Sequence, residues 1–231
     1  MLLFSIKTAS DNSTFAYRLH LSIIQPKSYF NVPVNISKYF PHQVSVFRGS
    51  AWEFNEERQQ FYLHQFLAGQ PDLNYRNPSV LEAMKDVIAF WLDLGVDGFR
   101  MDAVAFIAED ESLPDEPLSG NTEDSDDYGY LDHIYTNNLQ GTKDVLGQFY
   151  ELIKSYEAID GKERISMLEV YLPAEELQAY YEVGDFPFNF NLLYYDENPT
   201  ADDVLNRISE SLDNLPEGKK ANWVVSQKNY F

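Results

Sequence analysis

The chain has 231 residues, and its 17 basic against 37 acidic side chains give a formal net charge of −20. That charge repels phosphate backbones and argues against nucleic acid as a partner, while 44% hydrophobic and 15% aromatic residues exclude a chain too polar to fold. With no cysteine there is no disulfide framework, thiolate nucleophile or zinc–thiolate site, and cysteine usage assigns no compartment.

No apolar run approaches the ~20 residues that span a bilayer. The stretch Leu2-Leu3-Phe4 is shorter than the roughly 7–15-residue core of a signal peptide. Residues 1–40 show no clean period and read as an irregular segment. Leu19, Leu21, Ile23 and Ile24 hint at a short strand that Pro26 ends, and Pro33 and Pro41 punctuate the residues after it. Beyond Val44 the pattern is regular. Asn77 is predicted to cap a helix with Pro78 at its first position, where the missing N–H costs nothing. Val80, Ala83, Met84, Val87, Ile88, Trp91 and Leu92 then recur at helical spacing, and Gly95 ends the helix. Val96–Val104 alternates as a strand. Residues 109–132 hold ten carboxylates, no basic residue, Pro114 and Pro117. This composition fits either a solvated acidic loop or a long insertion after a barrel strand. Thr142 is predicted to cap a helix carrying Val145, Leu146, Phe149, Leu152, Ile153 and Tyr156, which leads into a strand at Ile165–Tyr171. A short helix near 174–182 comes next, then a strand at Phe186–Leu193. Thr200 and Asp203 form a capping-box pattern ahead of Val204, Leu205, Ile208 and Leu212, and Ala221–Val225 reads as another strand. Alternating helices and strands imply an α/β fold, a parallel sheet with helices outside, either doubly wound or a barrel.

Two carboxylates stand at strand ends. A period of two places Gly98, Arg100 and Asp102 on one face and Phe99, Met101 and Ala103 on the other. An Arg two residues from an Asp on one face favours the ionised carboxylate, the form a nucleophile needs, although a structural ion pair reads the same way. Glu169 shares a face with Ile165, Met167 and Tyr171, and apolar surroundings raise a carboxyl's pKa, as a general acid requires. One carboxylate held charged and one biased toward neutral, at adjacent strand ends, is the arrangement of glycoside hydrolysis. His64 beside Tyr62 and Phe66, Trp52, and the pair Tyr180-Tyr181 read as packed residues rather than sugar contacts.

These residues carry a resemblance. Gly95-Val96-Asp97-Gly98-Phe99-Arg100-Met101-Asp102-Ala103-Val104 resembles the nucleophile strand of the α-amylase superfamily, glycoside hydrolase family 13. Gln70-Pro71-Asp72-Leu73-Asn74 resembles the marker motif of its oligo-1,6-glucosidase and α-glucosidase branch, and Met167-Leu168-Glu169-Val170-Tyr171 its general-acid strand. Gly49–Phe54, Tyr62–Phe66, Asp115–Thr122 and Phe186–Phe190 are similar to insect maltases. The resemblance covers about residues 41–225.

It implies a partial TIM (β/α)8 barrel, approximately strands four to seven, with a domain B remnant. The expected division is an irregular segment at 1–40, the domain B remnant at 41–75 and the partial barrel at 76–231. The implied function is a maltase-like α-glucosidase that hydrolyses terminal α-1,4-linked glucose by retaining double displacement. Asp102 would be the nucleophile, Glu169 the acid and base, and Arg100 the substrate-site residue that orients Asp102. Ala103 matches members preferring α-1,4 over α-1,6 links. No cofactor is needed for the chemistry. A structural calcium ion is implied at Asp72, Glu109 and the carbonyls of Phe106 and Ile107, oxygen ligands that suit Ca²⁺, although a turn-capping Asp72 and a solvated Glu109 read as well. Partners would be α-glucoside oligosaccharides such as maltose and sucrose-like sugars, and family members are commonly extracellular or membrane-anchored.

Two family elements have no match here. No Asp-x-x-x-Asn-His-like motif precedes Val44, and Ala221-Asn222-Trp223-Val224-Val225 runs into Ser226-Gln227-Lys228-Asn229-Tyr230-Phe231 rather than Gly-Asn-His-Asp, the source of a third catalytic carboxylate. The chain is therefore expected to be the central part of a longer hydrolase. The alternatives are a non-catalytic family member acting as a binding, receptor or transporter-associated protein, and a truncated product without a stable fold.

Overall fold

The computed structural model describes residues 43–193 and 199–225, together with the backbone of three earlier strands. Those strands are β1 (Phe4–Lys7), β2 (Thr14–Tyr17) and β3 (Asn31–Pro33). They lie in the stretch read from sequence as irregular. The strand hinted at by Leu19–Ile24 lies outside the described residues, as do residues 226–231. The described residues divide into two compact units, one of β3 with residues 43–84 and 105–142, the other of β1 and β2 with residues 85–104, 143–193 and 199–225.

In the first unit, β4 (Trp52–Asn55) and β5 (Gln60–Leu63) pair antiparallel, and β3 joins the other edge of β5. Ala51, Trp52 and Leu63 form a small buried core. Trp52 donates its indole N–H to Gln43 Oε1 at 3.0 Å, and His64 is buried with Nδ1 3.0 Å from the Phe66 carbonyl oxygen. Both side chains are buried. The acidic stretch after residue 109 is folded rather than merely solvated. Leu118 bridges Leu131, and Ser119 and Asp132 donate to the carbonyls of Tyr130 and Pro117. Buried Glu116 accepts from the Tyr135 N–H and the Thr136 hydroxyl. The basic partner that the stretch lacks in its own sequence comes from Arg48, whose guanidinium meets Asp124 and Asp127.

The second unit is built on a six-stranded sheet of order β2-β1-β6-β7-β8-β9, where β6 is Gly98–Met101, β7 Ile165–Leu168, β8 Phe186–Asn189 and β9 Asn222–Trp223. Strands β6 to β9 run parallel, and β1 pairs antiparallel with β6, so the N-terminal hairpin covers the sheet edge beside Asp102. An uncovered edge strand would offer unpaired backbone groups to other chains.

Helix α1 (Pro78–Asp93) begins as the sequence suggests. Asn77 Oδ1 accepts from the Ser79 N–H at 3.0 Å, and Gly95 closes the helix at φ +85°. Its inner stripe is Val80, Met84, Ile88 and Leu92, all 2% exposed or less, each spaced by four residues so that they stack on one face. Helix α2 (Gln140–Asp160) buries Val145, Leu146, Phe149 and Ile153. It starts before Thr142, which is therefore not its cap. The Thr142 hydroxyl instead accepts from the Ala108 N–H at 3.2 Å. The short helix α3 (Ala174–Leu177) runs into a tighter turn that buries Tyr180 and Tyr181. Helix α4 (Ala201–Asp213) has the reciprocal Thr200–Asp203 capping box. Two of its predicted core positions, Leu205 and Leu212, are more than half exposed. The parallel strands are shorter than their sequence patterns, and the residues beyond β6 and β7 turn out of the ladder to form the candidate site.

Candidate active site

The site starts where β6 and β7 stop. Gly98 sits so close to β7 that a Cβ there would lie 2.2 Å from the Ile165 carbonyl oxygen, and this contact sets the spacing of the two strands. Beyond the ladder, the Glu169 N–H donates to the Met101 carbonyl at 2.9 Å and the Val104 N–H donates to the Glu169 carbonyl at 3.0 Å. These bonds bring the end of β7 against Asp102. Between Asp102 and Val104, Ala103 has φ +48°, a left-handed conformation costing a non-glycine residue about 1–3 kcal/mol. The strain has a visible return: the turn aims the Ala103 N–H at Glu169 Oε2, 3.1 Å away.

Arg100, Asp102 and Glu169 meet in one cluster. One guanidinium nitrogen of Arg100 binds Asp102 Oδ1, and the other binds Glu169 Oε2 at 2.9 Å. Such a planar fork can serve two carboxylates at once, which a lysine ammonium does less well. The Arg100 guanidinium also lies over the Phe188 ring, 5.6 Å from its centre. The Glu169 side chain is 12% exposed, against 26% for Asp102. Burial, first, and the neighbouring Asp102 carboxyl hold the Glu169 pKa above that of an ordinary glutamate, against the opposing pull of Arg100 and the Tyr171 hydroxyl. A guanidinium-bound carboxylate beside a carboxyl biased toward its protonated form can supply a nucleophile and a proton donor.

Two contributors were not assigned roles in the sequence. Ala103 contributes its backbone N–H, and no residue pattern announces a positive φ at an alanine. Tyr171 was legible as a neighbour of Glu169 on one strand face, and its hydroxyl donates to Glu169 Oε1 at 2.9 Å.

The implied calcium ligands come together in the first unit. Asp72 and Glu109 are each 3% exposed, and Phe106 lies beside them. Gln65 ties them: its N–H donates to Asp72 Oδ2 at 2.6 Å, and its Nε2 donates to the Phe106 carbonyl at 3.2 Å and to Glu109 Oε1 at 2.9 Å. Burial raises the pKa of both carboxyls, and the Asp72 charge raises that of Glu109 further. Ile107 is buried in the same segment. Glu109 is not the solvated charge its acidic surroundings allowed. Two buried carboxylates beside the Phe106 carbonyl are hard oxygen donors of the kind a divalent cation takes. Among the described residues no cluster of three or more His, Asp or Glu side chains forms, so such an ion would draw its other ligands from the backbone.

The comparisons bear on this arrangement. The model of the family described as "Alpha amylase, catalytic domain" matches residues 6–225. The chain belongs to that family. It is 49% identical over 190 residues to Maltase 1 of Drosophila virilis, covering 79% of this chain and 30% of that protein. It is 45% identical over 193 residues to Maltase A2 of Drosophila melanogaster, covering 79% and 34%. It is also 37% identical over 191 residues to the human amino acid transporter heavy chain SLC3A1, covering 79% and 28%. Among solved structures, an α-glucosyl transfer enzyme, XgtA, matches with a TM-score of 0.74 at 29% identity, over 88% of this chain and 39% of that one. The chain thus spans about a third of the length of the curated relatives it matches. The fold is that of an α-amylase catalytic domain, with a parallel sheet present. No helix of the described residues is long and apolar enough to cross a membrane.

Proposed function

We propose that this chain carries the nucleophile and the acid/base of a maltase-like α-glucosidase that removes terminal α-1,4-linked glucose with retention of configuration. The observation that carries the reading is the Arg100 fork holding Asp102 and Glu169 together at the ends of two parallel strands. Strands β6, β7, β8 and β9 are then the fourth to seventh of a (β/α)8 barrel, and the small antiparallel sheet with the segment around it is the remnant of domain B. The names of the maltases above support the choice of substrate, maltose and sucrose-like α-glucosides.

In the first half-reaction Asp102 attacks the anomeric carbon. Its bond to Arg100 through Oδ1 fixes the orientation of the carboxylate. Glu169 passes its proton to the departing glycosidic oxygen, so the leaving sugar departs neutral. General acid assistance of this kind contributes about 10²–10⁴-fold in rate. Glu169, now ionised, is held by Arg100, Ala103 N–H and Tyr171. In the second half it takes a proton from water, which displaces Asp102 from the glucosyl carbon on the face the first sugar left. Asp72, Glu109 and the carbonyls of Phe106 and Ile107 would hold a structural calcium ion, which would neutralise two buried charges and take no part in proton or glucosyl transfer.

A second reading is a non-catalytic, transporter-associated relative, favoured by the 37% identity to the transporter heavy chain. Incubating the protein with p-nitrophenyl α-glucoside, beside an Asp102→Asn control, separates the two. Nitrophenol release above the control supports the hydrolase, and rates indistinguishable from the control sink it for this chain.

A further inference from the structure

The Glu169 carboxyl is held unequally at its two oxygens. Oε2 meets the Arg100 guanidinium at 2.9 Å and the Ala103 N–H at 3.1 Å. Both of these partners only donate, so they fasten Oε2 in place. Oε1 meets the hydroxyl of Tyr171 at 2.9 Å, a group that can donate to a carboxylate and accept from a carboxylic acid. The Tyr171 ring is itself fixed. It stacks on Phe190 with centroids 4.0 Å apart and planes 11° apart, and Phe190 is 7% exposed and tilted against Phe188 on β8. Tyr171 as a whole is 40% exposed.

We propose that Tyr171, clamped against Phe190, is a positioning residue that holds Oε1 of Glu169 in register through both protonation states of the carboxyl. While Glu169 carries its proton on Oε1, the hydroxyl accepts from it in a neutral, weaker bond. Once the proton has left, the hydroxyl donates to the new carboxylate and keeps it from swinging away before water arrives. This inference rests on the glycosidase reading for its purpose, but not for its physics. Among the described residues the charged and titratable groups facing Glu169 are Arg100 on β6, Asp102 just beyond it, and Tyr171 two residues further along its own segment. Among the described residues β8 and its continuation bring phenyl rings to the same cluster.

The test follows the Glu169 carboxyl directly, by carbon NMR of protein labelled at glutamate side chains, with Glu169→Gln assigning the resonance. Tyr171→Phe keeps the stack and deletes the hydroxyl. Removing one donor from a carboxylate raises its midpoint by about half a unit to one unit. Phe190→Leu keeps the hydroxyl and loosens the ring, and gives a smaller rise. A Glu169 midpoint unmoved in Tyr171→Phe overturns the proposal, as does a larger rise in Phe190→Leu than in Tyr171→Phe. With p-nitrophenyl α-glucoside, Tyr171→Phe is expected to lose about tenfold in kcat with KM little changed, and the alkaline limb of kcat/KM moves up with the NMR midpoint. Absence of turnover in the unsubstituted protein would count against the glycosidase reading alone, because the NMR midpoints are read without substrate.

Discussion

At the scale of single residues, the site is organised by one guanidinium. Arg100 touches Asp102 with one nitrogen and Glu169 with the other, so Arg100→Lys keeps the charge but cannot hold both carboxylates in one plane. Turnover of p-nitrophenyl α-glucoside by that variant should fall by about 10²–10³-fold, mostly in kcat, the cost of losing one preorganised electrostatic group. A loss of less than about threefold would show that the fork is dispensable. Glu169 also leaves a signature in stability. Its folded-state pKa lies above the ordinary 4.5, first because it is buried. A carboxyl raised in this way contributes stability that is present below the ordinary value and lost as pH rises through the folded one. Glu169→Gln removes the titration, so its unfolding free energy should fall less steeply above pH 4.5 than that of the unsubstituted protein. Parallel urea titrations at several pH values check this, and equal slopes would contradict it.

At the scale of elements, the alternation of helix and strand was legible because buried parallel strands and amphipathic helices have different periods. Asn77-Pro78, Gly95 and the Thr200–Asp203 box marked helix ends because capping is local chemistry. Thr142 is not a cap because the helix already begins at Gln140, and its hydroxyl accepts from the loop residue Ala108, far from it in sequence. The strands β1 to β3 were not legible for a related reason. Each is three or four residues long; β3 pairs with β5 about thirty residues on and β1 with β6 about a hundred residues on, while β2 joins only the nearby β1, so local pattern carries little of the signal for β1 and β3. Gly98 shows what the sequence does encode at this scale. Gly98→Ala would drive a methyl group into the Ile165 carbonyl and force β6 from β7. A loss of about 2–4 kcal/mol in urea unfolding is expected, together with loss of activity as the Arg100 fork misaligns. An unchanged midpoint would mean that the strands have room the geometry does not show.

At the scale of the whole molecule, the motifs resembling family 13 were legible in order, and the family match over residues 6–225 agrees with them. Their assembly was less legible. Sequence placed Asp72 and Glu109 as ligands by resemblance alone, and the structure adds Gln65, which ties them to Phe106 through its amide. A bound cation would relieve the repulsion between two buried carboxylates. Calcium at about 100 times its dissociation constant should therefore stabilise the protein by about 2.7 kcal/mol, seen as a rise in Tm relative to protein in chelator, with no rise in Asp72→Ala. Superimposed melting curves with calcium and with chelator would show that no such ion is held there. The acidic stretch, ambiguous in sequence, is ordered by Arg48 and Glu116, contacts that no composition reveals. The role on which the whole mechanism turns is that of Asp102 as the nucleophile of a retaining glucosidase. Mass spectrometry after incubation with 5-fluoro-α-D-glucosyl fluoride, which slows breakdown of a glucosyl-enzyme, reads that role without intermediary. One fluoroglucosyl adduct is expected on the peptide containing Asp102 and none in Asp102→Asn; an unlabelled protein, or an adduct that persists in Asp102→Asn, would contradict it.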